Sequence, residues 1–134
     1  ACTSGKGNCS DFHTLFIAMA RSRNIPAFFE IGFPVPSDKS EGSIGGYHCW
    51  AWYSDGGSWK PVDISEADKA PEKAEYFFGN ICQNRLSMSS GRDLVLEPRQ
   101  RGGPVNFFIY PYVEVDGKPA GAKVEKAFSF RNLD

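Results

Sequence analysis

The stretch GNCSDFHTLFIAMARSRNIPAFFEIGF (Gly7–Phe33) decides the fold, because it joins an amphipathic helix to an apolar strand. Asn8 is a favoured N-cap residue, and Asp11 three positions later completes a capping-box-like start with Cys9 at the first helical position. Four apolar residues then recur at helical spacing on one face: Phe12, Leu15, Phe16 and Met19. The pattern predicts a helix that begins at Cys9.

The end of this helix and the start of a strand follow from the same stretch. Asn24 is followed by Ile25 and Pro26, a combination that stops a helix. The segment from Ala27 to Phe33 is rich in β-forming residues and is closed by Pro34. We therefore predict a strand directly after the helix.

A β-hairpin is predicted further along the chain. YHCWAWYS (Tyr47–Ser54) alternates two sets of side chains, DGG (Asp55–Gly57) turns the chain, and SWKPVDIS (Ser58–Ser65) supplies the second strand. The polar, glycine-rich segment from Ser37 to Gly46 is expected to be a mobile connection that borders a site.

The remainder of the sequence predicts more β-structure. Strands are expected in DLVLEP (Asp93–Pro98), VNFFIYPYVEVDG (Val105–Gly117) and VEKAFSF (Val124–Phe130). One helix followed by antiparallel strands indicates an α+β fold, and we predict a single domain over residues 1–134.

Composition excludes several classes of function. The 134 residues are 41% hydrophobic, and the formal net charge of -1 gives no field that would attract nucleic acid. The apolar runs are far shorter than the roughly 20 residues that span a bilayer, so no membrane insertion is expected. The four cysteines and two histidines lack the spacing of zinc ligands, so we predict no metal site and no cofactor.

Three residues form a candidate catalytic set. A helix N-terminus and a nearby imidazolium both lower the pKa of a thiol, and Cys9 has the first of these by position. His48 can supply the second, while Asp63 can orient the far side of its ring. His48 and Asp63 are fifteen positions apart around a turn near Gly56, which places them almost opposite each other on the predicted hairpin.

Each of the three residues also has a simpler explanation when it is taken alone. A buried cysteine is commonly a packing residue, and a single histidine is commonly structural. Asp63 fits a turn or a helix cap, as the neighbouring Ser65 and Glu66 suggest. The case for catalysis therefore depends on the three residues occurring together.

The blocks GNCSDFHTLFIAMARSRNIPAFFEIGF, GGYHCWAWY and SWKPVDIS resemble the three motifs of the transglutaminase-like superfamily, whose fold is the papain-like core. The resemblance implies a cysteine-bearing helix packed on an antiparallel sheet. It assigns Cys9 as the nucleophile, His48 as the general base and acid, and Asp63 as the orienting acid. The later segment from Tyr76 to Gly117 is similar to the tail of bacterial members that are mostly uncharacterised.

This resemblance implies thiol-dependent acyl transfer on a peptide or protein amide through a thioester intermediate. Hydrolysis by a protease or amidase is favoured over amine transfer. The Cys9 N–H would donate one hydrogen bond to the oxyanion. Relatives supply the second donor from a residue upstream of the nucleophile, so either the chain lacks an N-terminal piece or another group replaces that donor. The alternative function is a catalytically silent binding or assembly module.

Several further residues carry expectations of their own. Trp50, Gly46, Tyr47 and His13 are the predicted substrate-lining residues, although Trp50 is also typical of a core position and His13 of a structural one. Strand alternation points Cys49 away from His48 and into the core.

Two more expectations concern pairing. Cys2 and Cys82 are candidates for a disulfide in an oxidising compartment. Three arginines are expected to brace the later part of the fold against nearby acids: Arg85, Arg92 and Arg99.

Overall fold

The structure is a computed structural model that describes residue 3, residues 5–120 and residues 124–133. The helices are α1 (Cys9–Ser22), α2 (Ile64–Lys69) and α3 (Ala74–Phe77), with a 3-10 turn at Pro71–Lys73. The strands are β1 (Ala27–Pro34), β2 (Glu41–Ser43), β3 (His48–Ser54), β4 (Trp59–Val62), β5 (Arg85–Ser90), β6 (Glu114–Val115), β7 (Lys118–Pro119) and β8 (Ser129–Arg131).

Helix α1 begins as the sequence predicts. The Asn8 side chain accepts a hydrogen bond from the Asp11 N–H, and the Asp11 carboxylate accepts one from the Asn8 N–H, which completes a capping box. The helix ends after Ser22, and Asn24 adopts a left-handed conformation with φ 59°. This cap fixes Cys9 at the first position of the helix.

Four strands form the central antiparallel sheet in the order β4-β3-β1-β5. β1 and β3 pair with Ile31 opposite Cys49, and β3 and β4 pair with Ala51 opposite Val62. Gly32 allows β5 to approach closely, because a Cβ there would lie 1.9 Å from the Leu86 carbonyl oxygen. The predicted hairpin is confirmed, with β4 ending one residue before Asp63.

Helix α1 packs across β1 and β3 and covers one face of the sheet. The core between them is apolar and takes residues from both halves of the chain: Ile17, Ala20, Ala27, Phe29, Ile31, Phe33, Cys49, Ala51, Val62 and Ile109. On the other face, the Glu30 carboxylate accepts hydrogen bonds from the indole N–H groups of Trp50 and Trp52. The α+β fold with a cysteine-bearing helix on an antiparallel sheet is therefore confirmed.

The later strands differ from the prediction. Asp93–Pro98 and Val105–Gly117 form one isolated bridge between Leu94 and Val105 and the short strand β6. Val124–Phe130 contributes only its last two residues, to β8. Pro98 and Pro111 remove a backbone donor from each of the first two segments, which works against long ladders there.

Three strands were not predicted from the sequence: β2, β5 and β7, the last of which lies just beyond the predicted strand that ends at Gly117. β5, RLSMSS, is an edge strand whose side chains are mostly exposed, so it lacks an apolar period. β2 lies within the segment from Ser37 to Gly46 that was expected to be a mobile connection, and it pairs with β8. β2 and β5 are recognisable only from the strands with which they pair.

The expectations about membrane insertion, a disulfide and the number of domains have separate outcomes. None of the described helices has the length and apolar character that crossing a membrane requires. The candidate pairing of Cys2 with Cys82 lies outside the described residues, because Cys2 is not among them. The assignment of residues 1–134 to a single domain stays a prediction.

Candidate active site

Cys9 lies at the N-terminus of α1, where the backbone N–H groups of the first turn have no partner within the helix. Its side chain is partly buried against the core. The partial positive charge at this end of a helix stabilises a thiolate. The capping box of Asn8 and Asp11 holds the cysteine in this position.

His48 and Asp63 form a buried imidazole–carboxylate pair. His48 Nε2 lies 2.7 Å from Asp63 Oδ2, which confirms the contact predicted from the hairpin. Asp63 is the N-cap of α2, and its Oδ1 accepts hydrogen bonds from the Ser65 hydroxyl and the Glu66 N–H, both at 3.1 Å. These bonds fix the carboxylate that orients His48.

Arg85 adds a positive charge behind the pair. Its Nη2 lies 3.4 Å from Asp63 Oδ2, and the guanidinium group is nearly fully buried. The Nε atom of Arg85 is also buried and has no hydrogen-bond partner among the described residues. Arg85 therefore pairs with an acid, but this acid lies outside the later part of the fold and is the one that holds the candidate general base.

The charges of Cys9 and His48 depend on each other. A hydrogen bond from the Cys49 thiol and a second from His48 outweigh the effect of burial and lower the pKa of Cys9 to about 4. Burial acts to lower the pKa of His48, but hydrogen bonds to Asp63 and Cys9 outweigh it and raise the pKa to about 9. A thiolate and an imidazolium therefore coexist between these two values.

The same charges keep Asp63 ionised. Its burial alone would raise the pKa of the carboxyl, but the hydrogen bond from His48 and its positive charge overcome this effect and lower the pKa. A carboxylate that stays charged can hold the imidazolium in one orientation.

Cys49 is a site residue that the sequence reasoning missed. It is fully buried, as expected, but its thiol faces the first turn of α1, with Sγ 3.6 Å from the Ser10 hydroxyl. Its hydrogen bond to the Cys9 thiolate and its burial raise the pKa of Cys49, so this thiol stays protonated. Strand alternation carries the signal, since it places Cys49 on the same face as Ala51, beneath the predicted helix.

His13 lies behind Cys9 and is fully buried. Its Nδ1 is 2.6 Å from the Cys9 carbonyl oxygen, and its Nε2 accepts a hydrogen bond from the Ile64 N–H at 3.0 Å. The ring therefore connects the first turn of α1 to the start of α2.

The other predicted substrate-lining residues have different environments. Trp50 is 1% exposed and its indole N–H donates a hydrogen bond to Glu30, so its side chain is buried on the face of the sheet opposite the core. Gly46 is partly buried, and Tyr47 is 37% exposed with its ring packed beside Phe107. Substrate-lining roles stay predictions for all four residues, and Tyr47 offers the largest surface.

One group of potential metal ligands overlaps the site. The ligand atoms of His48, Asp63 and Glu66 lie within 4.8 Å of one another. Asp63 already accepts four hydrogen bonds through its two oxygens, and His48 Nε2 is bound to that carboxylate. A metal ion would have to break this arrangement, so these residues fit an imidazole–carboxylate pair better than a metal site.

The fold and the site define an α+β protein with a cysteine, a histidine and an aspartate drawn together at the end of one helix. Residues 1–64 match the model of the Transglutaminase-like superfamily. This match confirms the resemblance seen in the three motifs.

One curated relative is described as an uncharacterized protein from Haemophilus influenzae. It is 31% identical over 156 residues, an alignment that covers 93% of this chain and 42% of the relative. The chain thus spans less than half the length of that protein. No solved structure matches the chain.

Proposed function

We propose that this protein is a thiol-dependent acyl-transfer enzyme that acts on peptide or protein amides through Cys9, His48 and Asp63. One observation carries the proposal: a thiol at a helix N-terminus lies close to an imidazole, and one nitrogen of that imidazole is 2.7 Å from a buried carboxylate. This is the arrangement that nucleophilic catalysis by cysteine requires.

The first half of the reaction forms a thioester. Because His48 Nε2 is bound to Asp63, Nδ1 is the ring nitrogen left to face Cys9. The Cys9 thiolate attacks the amide carbonyl carbon, and the oxygen takes up the negative charge. The imidazolium of His48 then donates its proton to the departing amine, the C–N bond breaks, and an acyl-thioester remains on Cys9.

The second half of the reaction releases the acyl group. Neutral His48 takes a proton from water, the resulting hydroxide attacks the thioester, and Cys9 leaves as a thiolate. An amine in place of water would give a new amide. Hydrolysis is the proposed outcome, because water needs no binding site of its own.

The Cys9 N–H is the proposed donor to the oxyanion. It lies at the first helical position, where a backbone N–H has no intrahelical acceptor. A single donor of this kind contributes roughly 10²–10³ in rate in other enzymes.

A library of peptides and glutamine amides tests the proposal. We expect turnover by the parent protein and none by Cys9→Ala, with Cys82→Ala as a matched control that retains the parent rate. Equal product release by the parent and by Cys9→Ala would reject the proposal that the protein is a thiol-dependent enzyme. That result would favour a binding or assembly module, in which Cys9→Ser leaves partner binding intact.

A further inference from the structure

His13 makes two backbone contacts that connect the elements carrying Cys9 and Asp63. One ring nitrogen faces the Cys9 carbonyl oxygen at 2.6 Å, and the other faces the Ile64 N–H at 3.0 Å. Ile64 directly follows Asp63 and is the first residue of α2. The imidazole ring therefore spans the gap between the nucleophile's helix and the carboxylate's segment.

The hydrogen bonds fix the proton on this ring. Nε2 accepts from the Ile64 N–H and so carries a lone pair, which leaves Nδ1 as the protonated nitrogen that donates to the Cys9 carbonyl. Nε2 also lies 3.7 Å from Asp63 Oδ1, but a nitrogen without a proton forms no ion pair with it. His13 is thus neutral, and its burial is the main effect that lowers its pKa.

Several groups of the candidate site lie around His13. Cys9 lies on its own helix, Cys49 Sγ approaches Nδ1 to 3.8 Å from β3, and the His48 ring centroid is 6.4 Å away. Asp63 faces it from the start of α2. The side chain of His13 is fully buried among these groups.

We propose that His13 is a positioning residue, which holds the Asp63 segment against the nucleophile's helix through the Ile64 N–H and thereby keeps His48 aligned with Cys9. The proposal rests on the proposed function for the identity of the reacting groups. Displacing a catalytic group by about 1 Å can cost roughly 10²-fold in rate. Without the bond to Ile64, Asp63 would lose one constraint on its backbone and His48 would lose its fixed partner.

Two substitutions of His13 separate its two bonds. The amide nitrogen of His13→Asn replaces Nδ1 and keeps a donor toward Cys9, but leaves the Ile64 N–H without an acceptor. The amide oxygen of His13→Gln replaces Nε2 and keeps that acceptor. The readout is the pH midpoint of Cys9 alkylation by iodoacetamide, followed by peptide mapping.

We expect His13→Gln to keep the parent midpoint and His13→Asn to raise it by about one pH unit, which corresponds to about tenfold slower alkylation on the acid side. A purely structural role would lower the melting temperature of both variants and leave the midpoint in place. Thermal unfolding of each variant is therefore measured beside the alkylation.

A second pair of variants tests the same bond from its donor side. Ile64→Pro removes the N–H at the first position of α2, where proline is well tolerated, and leaves His13 unchanged. Ile64→Ala is the matched control, because it shortens the same side chain and retains the N–H. Only Ile64→Pro is expected to raise the Cys9 midpoint.

The outcomes separate this proposal from the proposed function. A reactive Cys9 in the parent with unchanged midpoints in folded His13→Asn and Ile64→Pro would overturn the role of His13 alone. If His13→Asn does not fold, the comparison of Ile64→Pro with Ile64→Ala decides. A parent Cys9 that is unreactive below neutral pH would contradict the proposed function and, with it, the role of His13.

Discussion

Residues 9–69 place most of their backbone in helices and strand ladders, whereas residues 91–133, where described, have three strands of two or three residues and one isolated bridge. Every group of the candidate active site except Arg85 comes from the first region. The regular elements therefore hold Cys9, His48 and Asp63 in their relative positions.

The second region contributes buried side chains to the fold although it has little regular structure. Ile109 is 3% exposed and belongs to the core, while Tyr110 and Phe128 pack against Phe33. Gln100 is also buried and satisfies backbone groups of Leu94, Leu96 and Gly103. We therefore expect substitutions in the first region to affect the chemistry of the candidate site. Substitutions in the second region should affect stability alone.

The largest expected effect is that of Cys9→Ala. Removing the nucleophile should lower turnover by at least about 10³-fold with little change in melting temperature. Steady-state assays and thermal unfolding of the same preparations test this. Turnover that survives the substitution would mean that the first region carries no catalytic thiol.

Asp63→Asn should affect both chemistry and stability, because Asp63 is buried and faces two cationic side chains. Losing its charge leaves Arg85 without an anion and should cost about 3 kcal/mol in the free energy of unfolding. It should also raise the midpoint of Cys9 alkylation. Asp68→Asn, an exposed acid on α2, is the control, and an equal effect of both substitutions would contradict the structure.

Ile109→Ala tests the second region. Truncating this buried side chain should cost about 2–4 kcal/mol in unfolding free energy, measured with urea, and leave the Cys9 alkylation midpoint unchanged. Val115→Ala, at a side chain that is 62% exposed, should cost less than about 0.5 kcal/mol. A shifted midpoint in Ile109→Ala would erase the distinction between the two regions.

The pH dependence of stability should report the Cys9–His48 pair. The lowered pKa of Cys9, from 9.0 to about 4, means that the unfolded thiol holds a proton that the folded one has lost. The raised pKa of His48, from 6.5 to about 9, has the opposite effect above pH 6.5, and the two contributions largely cancel there.

Below pH 6.5 His48 is protonated in both the folded and the unfolded state. Of the pair, only Cys9 then contributes to the pH dependence of stability. Stability should fall with decreasing pH from 6.5 to about 4, by up to about 1.4 kcal/mol per unit more in the parent than in Cys9→Ala. The lowered pKa of His13 acts in the same direction in both proteins. Parallel curves from urea unfolding would argue against a thiolate in the folded state.

The smallest expected effect concerns Cys49. Cys49→Ala removes a hydrogen bond to the Cys9 thiolate and should raise the alkylation midpoint of Cys9 by about one unit. Cys49→Ser keeps a donor at the same position and should shift it less. If the two variants behave alike, the thiol of Cys49 has no electrostatic role.

Much of the first region could be predicted because its signals are local. Asn8 and Asp11 mark the helix start, and the alternation of Tyr47–Ser54 with the turn at Asp55–Gly57 fixes the hairpin. The hairpin register in turn brings Asp63 to His48. Local capping and alternation therefore sufficed for α1, the hairpin and the His48–Asp63 pair.

The remaining contacts depend on distant parts of the chain. Arg85 reaches Asp63 from an edge strand with no apolar period, and His13 reaches Ile64 across 51 positions. The aromatic segment around Tyr110 has the composition of a strand, but its prolines and its packing on Phe33 leave it irregular. Such contacts follow from tertiary packing, which local propensity does not determine.

The most direct measurement is the rate of alkylation of Cys9, Cys49 and Cys82 from pH 4 to pH 10 in the parent and in His48→Ala, read by peptide mapping. We expect Cys9 alone to react rapidly below neutral pH and to lose this reactivity without His48. A Cys9 that reacts no faster than Cys82, or equally fast in His48→Ala, would contradict the thiolate–imidazolium pair and the enzyme built on it.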